Sequence, residues 1–342
     1  MKAMILKSIS PFLKNSHPLE TADLPVPEPD ERQLLIQVSA CGVCHTELDE
    51  IEGRTPPPRF PIVLGHQIVG RVAAIGKNVR THQPGDRIGI GWIYSACGRC
   101  RFCREGYENL CRDFIATGRD ADGGYAEYMI ISEDYAYTLP DAFSDAEAAP
   151  LLCAGAIGYR SLRLTGLQDG QSLGLTGFGA SAHLVLKMVR HRYPNSGIFV
   201  FARSEREQQF ALELGAIWAG GTSDRAPERL QAIIDTTPAW KPVMEALKNL
   251  ESGGRLVINA IRKEAADKDV LRDLDYPYHL WMEKEIKSVA NVTRRDIQEF
   301  LNLAAEIPLQ PQIQEFPLAE ANQALAELKA GNIRGAKVLR MI

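Results

Sequence analysis

No stretch constrains the fold of this chain more than Ser172 to Ala202. Ser172-Leu173-Gly174-Leu175-Thr176 is a short apolar run, Gly177-Phe178-Gly179-Ala180-Ser181 is a glycine turn, and Ala182 to Arg192 has apolar residues at helical spacing. Ile198-Phe199-Val200-Phe201-Ala202 is a second apolar run. Together they read as strand, turn, helix and strand. The alternation continues with a helix over Glu205–Leu214 that stops at Gly215, and with strands at Ile233–Asp235 and Arg255–Asn259. A helix from Pro242 to Leu250 separates those strands. Strands alternating with helices predict a doubly wound parallel sheet, the α/β arrangement of a Rossmann domain.

The turn fits Gly-x-Gly-x-x-Ala, with Ala182 in the last slot. Its glycines allow a tight turn and a close approach of backbone N–H groups to a pyrophosphate, whose charge the following helix N-terminus stabilises. Gly177, Phe178, Gly179, Ala180 and Ser181 are therefore candidate dinucleotide contacts. The end of the next strand bears on the choice of cofactor. An acidic residue there accepts hydrogen bonds from the ribose 2′-OH of NAD. Here the position is Ala202, followed by Arg203 and Ser204. No carboxylate repels a 2′-phosphate and Arg203 can pair with one, so NADP is the expected cofactor, with NAD the alternative.

The first ~150 residues have a different texture, rich in Gly, Pro and β-branched residues, as expected for a β-rich domain with long loops. Leu34–Val38, Ile68–Gly76 and Arg87–Ile90 read as strands, and Met1–Lys7 as a first strand rather than a signal peptide. Helices at Ile297–Ala305 and Ala319–Ala330 and a last strand at Ala336–Leu339 follow the alternating region. A length of 342 residues suits two such domains. The formal net charge of −4, without basic clusters, gives no electrostatic footprint for nucleic acid. No apolar run approaches the roughly 20 residues of a membrane-spanning helix, so a cytoplasmic location is expected.

Seven cysteines, an odd number in a long chain, argue against a disulfide framework and for metal binding or chemistry. Cys97, Cys100 and Cys103 are spaced by two residues, and Cys111 follows closely. Such spacing lets four thiols point at one tetrahedral zinc, which would be structural because no coordination position stays open. An iron–sulfur cluster uses similar spacing, but nothing else in the chain suggests electron transfer. Cys44, His66 and Cys153 lie far apart, and spacing alone does not join them. Taken singly, His66 fits a buried, satisfied histidine and Cys153 fits core packing as well as metal ligation.

Gly42-Val43-Cys44-His45-Thr46-Glu47, Gly65-His66, the four-cysteine run and Cys153-Ala154-Gly155 stand in the order and approximate spacing of the zinc-dependent alcohol dehydrogenases. The chain resembles that branch of the medium-chain dehydrogenase/reductase family, bacterial and yeast members above all, over nearly its whole length. The resemblance implies a GroES-like catalytic domain from residues 1–150 and 292–342, with a Rossmann domain at 151–291. It implies two zinc ions per chain, one structural and one catalytic, the latter held by Cys44, His66 and Cys153 in the Cys₂His set known from alcohol dehydrogenases. It further assigns Thr46 to accepting the alcohol proton, Glu47 to orienting the histidine, Trp92 to lining the substrate pocket and His45 to contacting the pyrophosphate.

Two positions depart from the family. Gln67 stands where an acidic residue is usual, and it cannot supply negative charge near a metal. Asp49 stands where many members end their proton relay in histidine, so Asp49 or solvent is expected to finish it. The substrate implied is a small alcohol or aldehyde, and the assembly a homo-oligomer, dimeric or tetrameric. An aldehyde reductase or polyol dehydrogenase of the same family is the enzymatic alternative, and a non-catalytic relative is the other. Cys41 fits a buried thiol.

Overall fold

The computed structural model describes residues 1–13, 16–307, 309, 311–331 and 335–341. They form two compact units, one of Met1–Cys153, Thr293–Ala305 and Gln310–Ile342, the other of Ala154–Val292 and Glu306–Leu309.

The first unit opens with β1 (Lys2–Leu6), β2 (Leu19–Asp23) and β3 (Gln33–Val43), then α1 (His45–Ile51), β4 (Ile62–Val63) and β5 (Ile68–Ile75). It continues through β6 (Arg87–Ile90), β7 (Ile93–Ser95), α2 (Arg101–Arg104), β8 (Ile115–Ala116), β9 (Tyr128–Ser132), β10 (Tyr137–Thr138) and α3 (Asp145–Pro150). β3 organises it. Leu34, Ile36, Val38 and Ala40 alternate inward along the strand and are fully buried, as the two-residue period of a strand requires. β3 pairs antiparallel with β5 and with β9, and β5 pairs in turn with β6. Tyr125, Met129 and Ile131 join the inward face of β3 in one core with Leu6, Ile51, Leu64 and Ile90.

The second unit comprises α4 (Ala156–Thr165), β11 (Leu173–Thr176), α5 (Ala180–Arg192), β12 (Ile198–Phe201), α6 (Glu205–Leu214) and β13 (Trp218–Gly220). It goes on with β14 (Leu230–Asp235), α7 (Lys241–Asn249), β15 (Leu250–Ile258), α8 (Tyr276–His279) and β16 (Glu285–Ser288). All six strands run parallel in the order β13-β12-β11-β14-β15-β16. This is the doubly wound sheet expected from the alternation. The strand order reverses between β11 and β14, and in such sheets ligands bind outside the carboxyl ends at that point. β11 and β12 are buried throughout, which explains the apolar runs Leu173-Gly174-Leu175 and Ile198-Phe199-Val200-Phe201. α6 starts at a Ser204–Glu207 capping box and stops at Gly215, whose φ of 102° is left-handed. β15 begins earlier than its apolar run suggests, because Ser252-Gly253-Gly254 interrupts the hydrophobic pattern and shifts the register against β14.

The chain then adds α9 (Arg294–Glu306), β17 (Ile313–Pro317), α10 (Ala321–Lys329) and β18 (Ala336–Arg340). β18 pairs antiparallel with the end of β3, with Lys337 opposite Val43 and Leu339 opposite Cys41. The two ends of the chain thus build one sheet, and β18 braces the strand from which Cys44 emerges.

Candidate active site

Cys44, His66 and Cys153 come together: one donor atom from each lies within 4.8 Å of the others. Cys44 is the residue between β3 and α1. Cys153 lies in a π-helical turn, Leu151–Gly155, after α3. His66 follows Gly65, whose φ of +96° suits glycine; a Cβ there would stand 2.4 Å from the Tyr125 ring and 2.9 Å from Cys41 Sγ. That close packing fixes where the imidazole begins.

Glu47, fully buried on α1, ties two of these residues together. Its Oε1 lies 2.6 Å from His66 Nδ1, and its Oε2 accepts from the Cys44 backbone N–H at 2.8 Å. Trp92 packs edge-on to the His66 ring, with centroids 5.0 Å apart. Thr46 Oγ1 lies 3.6 Å from Cys44 Sγ. Asp49, one helical turn further along α1, is buried and its carboxylate accepts from Arg54 Nε. Gln67 is buried, with its side chain over Gly42, leaving no room for a Cβ there. His45 is exposed at the first position of α1. Cys41 is fully buried in β3 and belongs to neither metal-ligating group.

Charge is shared unequally among the three side chains. A hydrogen bond from Cys153 holds the Cys44 thiol well below its usual range against the effect of burial, with His66 adding to it. Cys153 is pushed correspondingly up, first by Cys44 and then by burial. For His66, burial opposes the imidazolium, but the Glu47 carboxylate and Cys44 outweigh it and raise its proton affinity well above normal. Two cysteines and a carboxylate-bound histidine fit a divalent cation that prefers sulfur and nitrogen, such as zinc.

The four remaining clustered cysteines also converge, again within 4.8 Å. Cys103 Sγ lies 3.9 Å from Cys97 Sγ and 3.6 Å from Cys100 Sγ. A tetrahedron with about 2.3 Å from centre to corner has edges of about 3.8 Å, so these spacings suit zinc. The backbone N–H groups of Arg99 and Cys100 hold the Cys97 thiol down at about 6. Burial and the neighbouring Cys100 push Cys103 up to about 12. Four sulfurs this close ionise together only around a cation. α2 is a single four-residue turn and carries no buried residue, so the segment has little core of its own.

In the second unit, Gly177 has a φ of +75°, and Gly179 precedes α5 with open space where a Cβ would go. No side chain caps α5, and Gly179 and Ala180 are exposed while Phe178 is buried. Free N–H groups at the start of a 13-residue helix behind an open glycine turn fit a pyrophosphate. Ala202 is buried at the end of β12, and Arg203 and Ser204 are exposed.

Sequence reasoning missed two polar groups beside the first cluster. Both carboxylate oxygens of Glu50, on α1, are buried and find no hydrogen-bond partner among the described residues, and the Tyr125 hydroxyl is in the same state. Burial, then the nearby Glu47, pushes the Glu50 carboxyl well up. Three acids within four residues of a short helix carry no sequence signal that all of them are buried. The missed ion pair joins Asp235, the last residue of β14, to Lys263 in the segment that follows β15.

Residues 30–141 match the alcohol dehydrogenase GroES-like domain. The probable alcohol dehydrogenase AdhA of Mycobacterium tuberculosis (strain CDC 1551 / Oshkosh) is 42% identical over 327 residues, 94% of this chain and 92% of that one. An alcohol dehydrogenase of Geobacillus stearothermophilus is 31% identical over 334 residues, 94% and 96% of the two chains. Among solved structures, a cinnamyl alcohol dehydrogenase from Sorghum bicolor superposes with a TM-score of 0.86 at 25% identity, covering 99% of this chain and 97% of that one.

Proposed function

This chain belongs to the medium-chain alcohol dehydrogenase family, and from that premise we propose that it transfers hydride between a primary or secondary alcohol, or the matching aldehyde or ketone, and a nicotinamide cofactor. The convergence of Cys44, His66 and Cys153, with Glu47 bound to His66, carries this reading. Cys44, His66 and Cys153 would hold a zinc ion, which would supply Lewis acidity toward an alcohol or carbonyl oxygen. A bound nicotinamide cofactor would supply the hydride acceptor or donor.

The chain's own residues do the rest. Glu47 fixes the tilt and tautomer of His66 and pins the Cys44 backbone. Thr46 takes the alcohol proton on Oγ1, and Asp49, one turn along the same helix, or solvent takes it on. Trp92 braces His66 and lines the substrate side. Gln67 brings no charge, so the two sulfur ligands, with the Glu47 carboxylate behind His66, would offset the metal's charge. Cys97, Cys100, Cys103 and Cys111 hold a second, structural zinc. The Gly177–Ser181 turn and the start of α5 bind the pyrophosphate. Ala202, Arg203 and Ser204 favour NADP over NAD. The unit of Met1–Cys153, Thr293–Ala305 and Gln310–Ile342 acts as the catalytic domain, and that of Ala154–Val292 and Glu306–Leu309 as the cofactor domain.

A homo-oligomer fits the edge of the parallel sheet. Every residue of β16 is exposed, as are Tyr276, Trp281 and Met282 just before it, a combination that a second copy would cover. Among the described residues no helix is long and apolar enough to cross a membrane, and we place the enzyme in the cytoplasm.

The deciding assay follows oxidation of NADPH and of NADH in parallel, with short-chain and aromatic aldehydes, in protein carrying two zinc equivalents. Faster NADPH turnover is expected. Faster NADH turnover would refute the cofactor assignment alone, and absence of turnover with both would refute the catalytic one.

A further inference from the structure

β11, β14 and β15 end side by side, and the segment leaving β14 lies against the glycine turn. A Cβ on Gly177 would stand 2.9 Å from Thr237 Cγ2 and 3.0 Å from Thr236 Oγ1. The Thr236 hydroxyl donates to the carbonyls of Thr176 and Gly177, at 3.0 and 3.4 Å. Where residues 236–241 lie therefore decides where the turn's backbone lies.

That segment is held in turn by residues 263–267, which follow β15. Lys263 Nζ donates to the carbonyls of Thr237 and Ala239, at 2.8 and 2.9 Å, and pairs with the Asp235 carboxylate. Asp235 is wholly buried and the Lys263 side chain is 8% exposed. Asp235 also accepts from the hydroxyls of Thr176 and Thr237, at 2.6 and 2.7 Å. Further along, the Glu264 N–H donates to the Pro238 carbonyl at 2.8 Å. Asp267 accepts from the N–H groups of Trp240 and Lys241, at 2.9 and 2.8 Å. Residues 263–267 therefore run as a strap across 236–241, with a buried charge at one end.

Stability alone explains such a pair poorly, because desolvating two charges offsets most of their attraction. A lysine satisfied by one carboxylate and two carbonyls does fix geometry. We propose that Lys263 is a positioning residue for the dinucleotide: it sets residues 236–241, and through them the Gly177–Gly179 turn. The proposal rests on that turn being the cofactor site.

Equilibrium binding of NADPH and NADH, without alcohol, separates the two ideas. Zinc-loaded wild type is compared with Lys263→Met, with Asp235→Asn/Lys263→Met and with Asp267→Ala, recording Kd and melting temperature for each. Lys263→Met is expected to weaken cofactor binding at least tenfold. The double variant buries no unpaired charge but still lacks the strap's two carbonyl bonds, so its melting temperature recovers while its Kd stays weak. Asp267→Ala, which spares the ion pair and releases the other end, is expected to weaken binding less, and it decides the matter if the other variants do not fold. Binding within twofold of wild type in the folded variants overturns the proposal, as does a double variant whose Kd recovers together with its melting temperature. Wild type that binds neither cofactor overturns the cofactor site itself.

Discussion

Glu47→Gln isolates what the buried carboxylate does for the metal site. The carboxylate accepts from two donors at once, His66 Nδ1 at 2.6 Å and the Cys44 N–H at 2.8 Å, with no solvent exposure to compensate a loss. Glutamine keeps the shape but only one acceptor, so one of those donors must face an NH₂ group. Losing one charge-assisted hydrogen bond costs about 1.5–3 kcal/mol, equivalent to roughly 10–100-fold in metal affinity, the usual scale for such supporting residues. The assay poises wild type and variant in chelator buffers of stepped free zinc and measures zinc per chain. The variant should release one zinc equivalent at a 10–100-fold higher free zinc concentration, and keep the other, because Glu47 is not among the neighbours of the four-cysteine group. Identical release curves would refute the reasoning. So would joint loss of both ions, which would make Glu47 a general stabiliser.

Cys103→Ser should abolish zinc binding at the proposed structural site, where such binding contributes on the order of 10 kcal/mol, and should open residues 97–111 to proteolysis. Retained resistance would count against a metal-ordered loop. Ala202→Asp sets a carboxylate against a 2′-phosphate, a like-charge contact costing several kcal/mol. NADPH KM should therefore rise at least about tenfold while NADH KM holds or falls; equal changes in both would contradict the assignment. Glu133, side chain 2% exposed, is raised by burial, but the Arg80 and Thr81 N–H groups, the Thr81 hydroxyl and Arg32 hold it down at about 2. Its folded pKa lies below the unfolded value near 4.5, so its stabilisation is complete above that pH and is lost as pH falls toward 2. Glu133→Gln should cost about 3 kcal/mol at neutral pH, roughly 6–12 °C in melting temperature. The gap should narrow on acidification, and a gap unchanged down to pH 3.5 would refute the linkage.

The parallel sheet was legible because its signals are local. Ser204, Glu207 and Gly215 mark both ends of α6, and β12, like β11 up to its last residue Thr176, is apolar because both faces are buried. The four-cysteine group was legible for the same reason. α1 was not: it has seven residues, starts after a cysteine, and buries its acids Glu47, Asp49 and Glu50. Cys44, His66 and Cys153 were joined only by resemblance to a family, since β3, a tight glycine and a π-helical turn bring them together over more than a hundred residues. The pairing of Asp235 with Lys263 follows no motif, because it depends on where two strand ends fall in the sheet.

Glu50 has a consequence for anyone wishing to make this protein more robust. A carboxyl buried without a partner lowers stability, and a family of sequences tolerates one only if something else is gained. Replacing Glu50 with Gln or Leu is therefore the first substitution a thermostabilising effort should meet. The turnover of the hardened protein would then reveal whether heat resistance was being given up for catalysis.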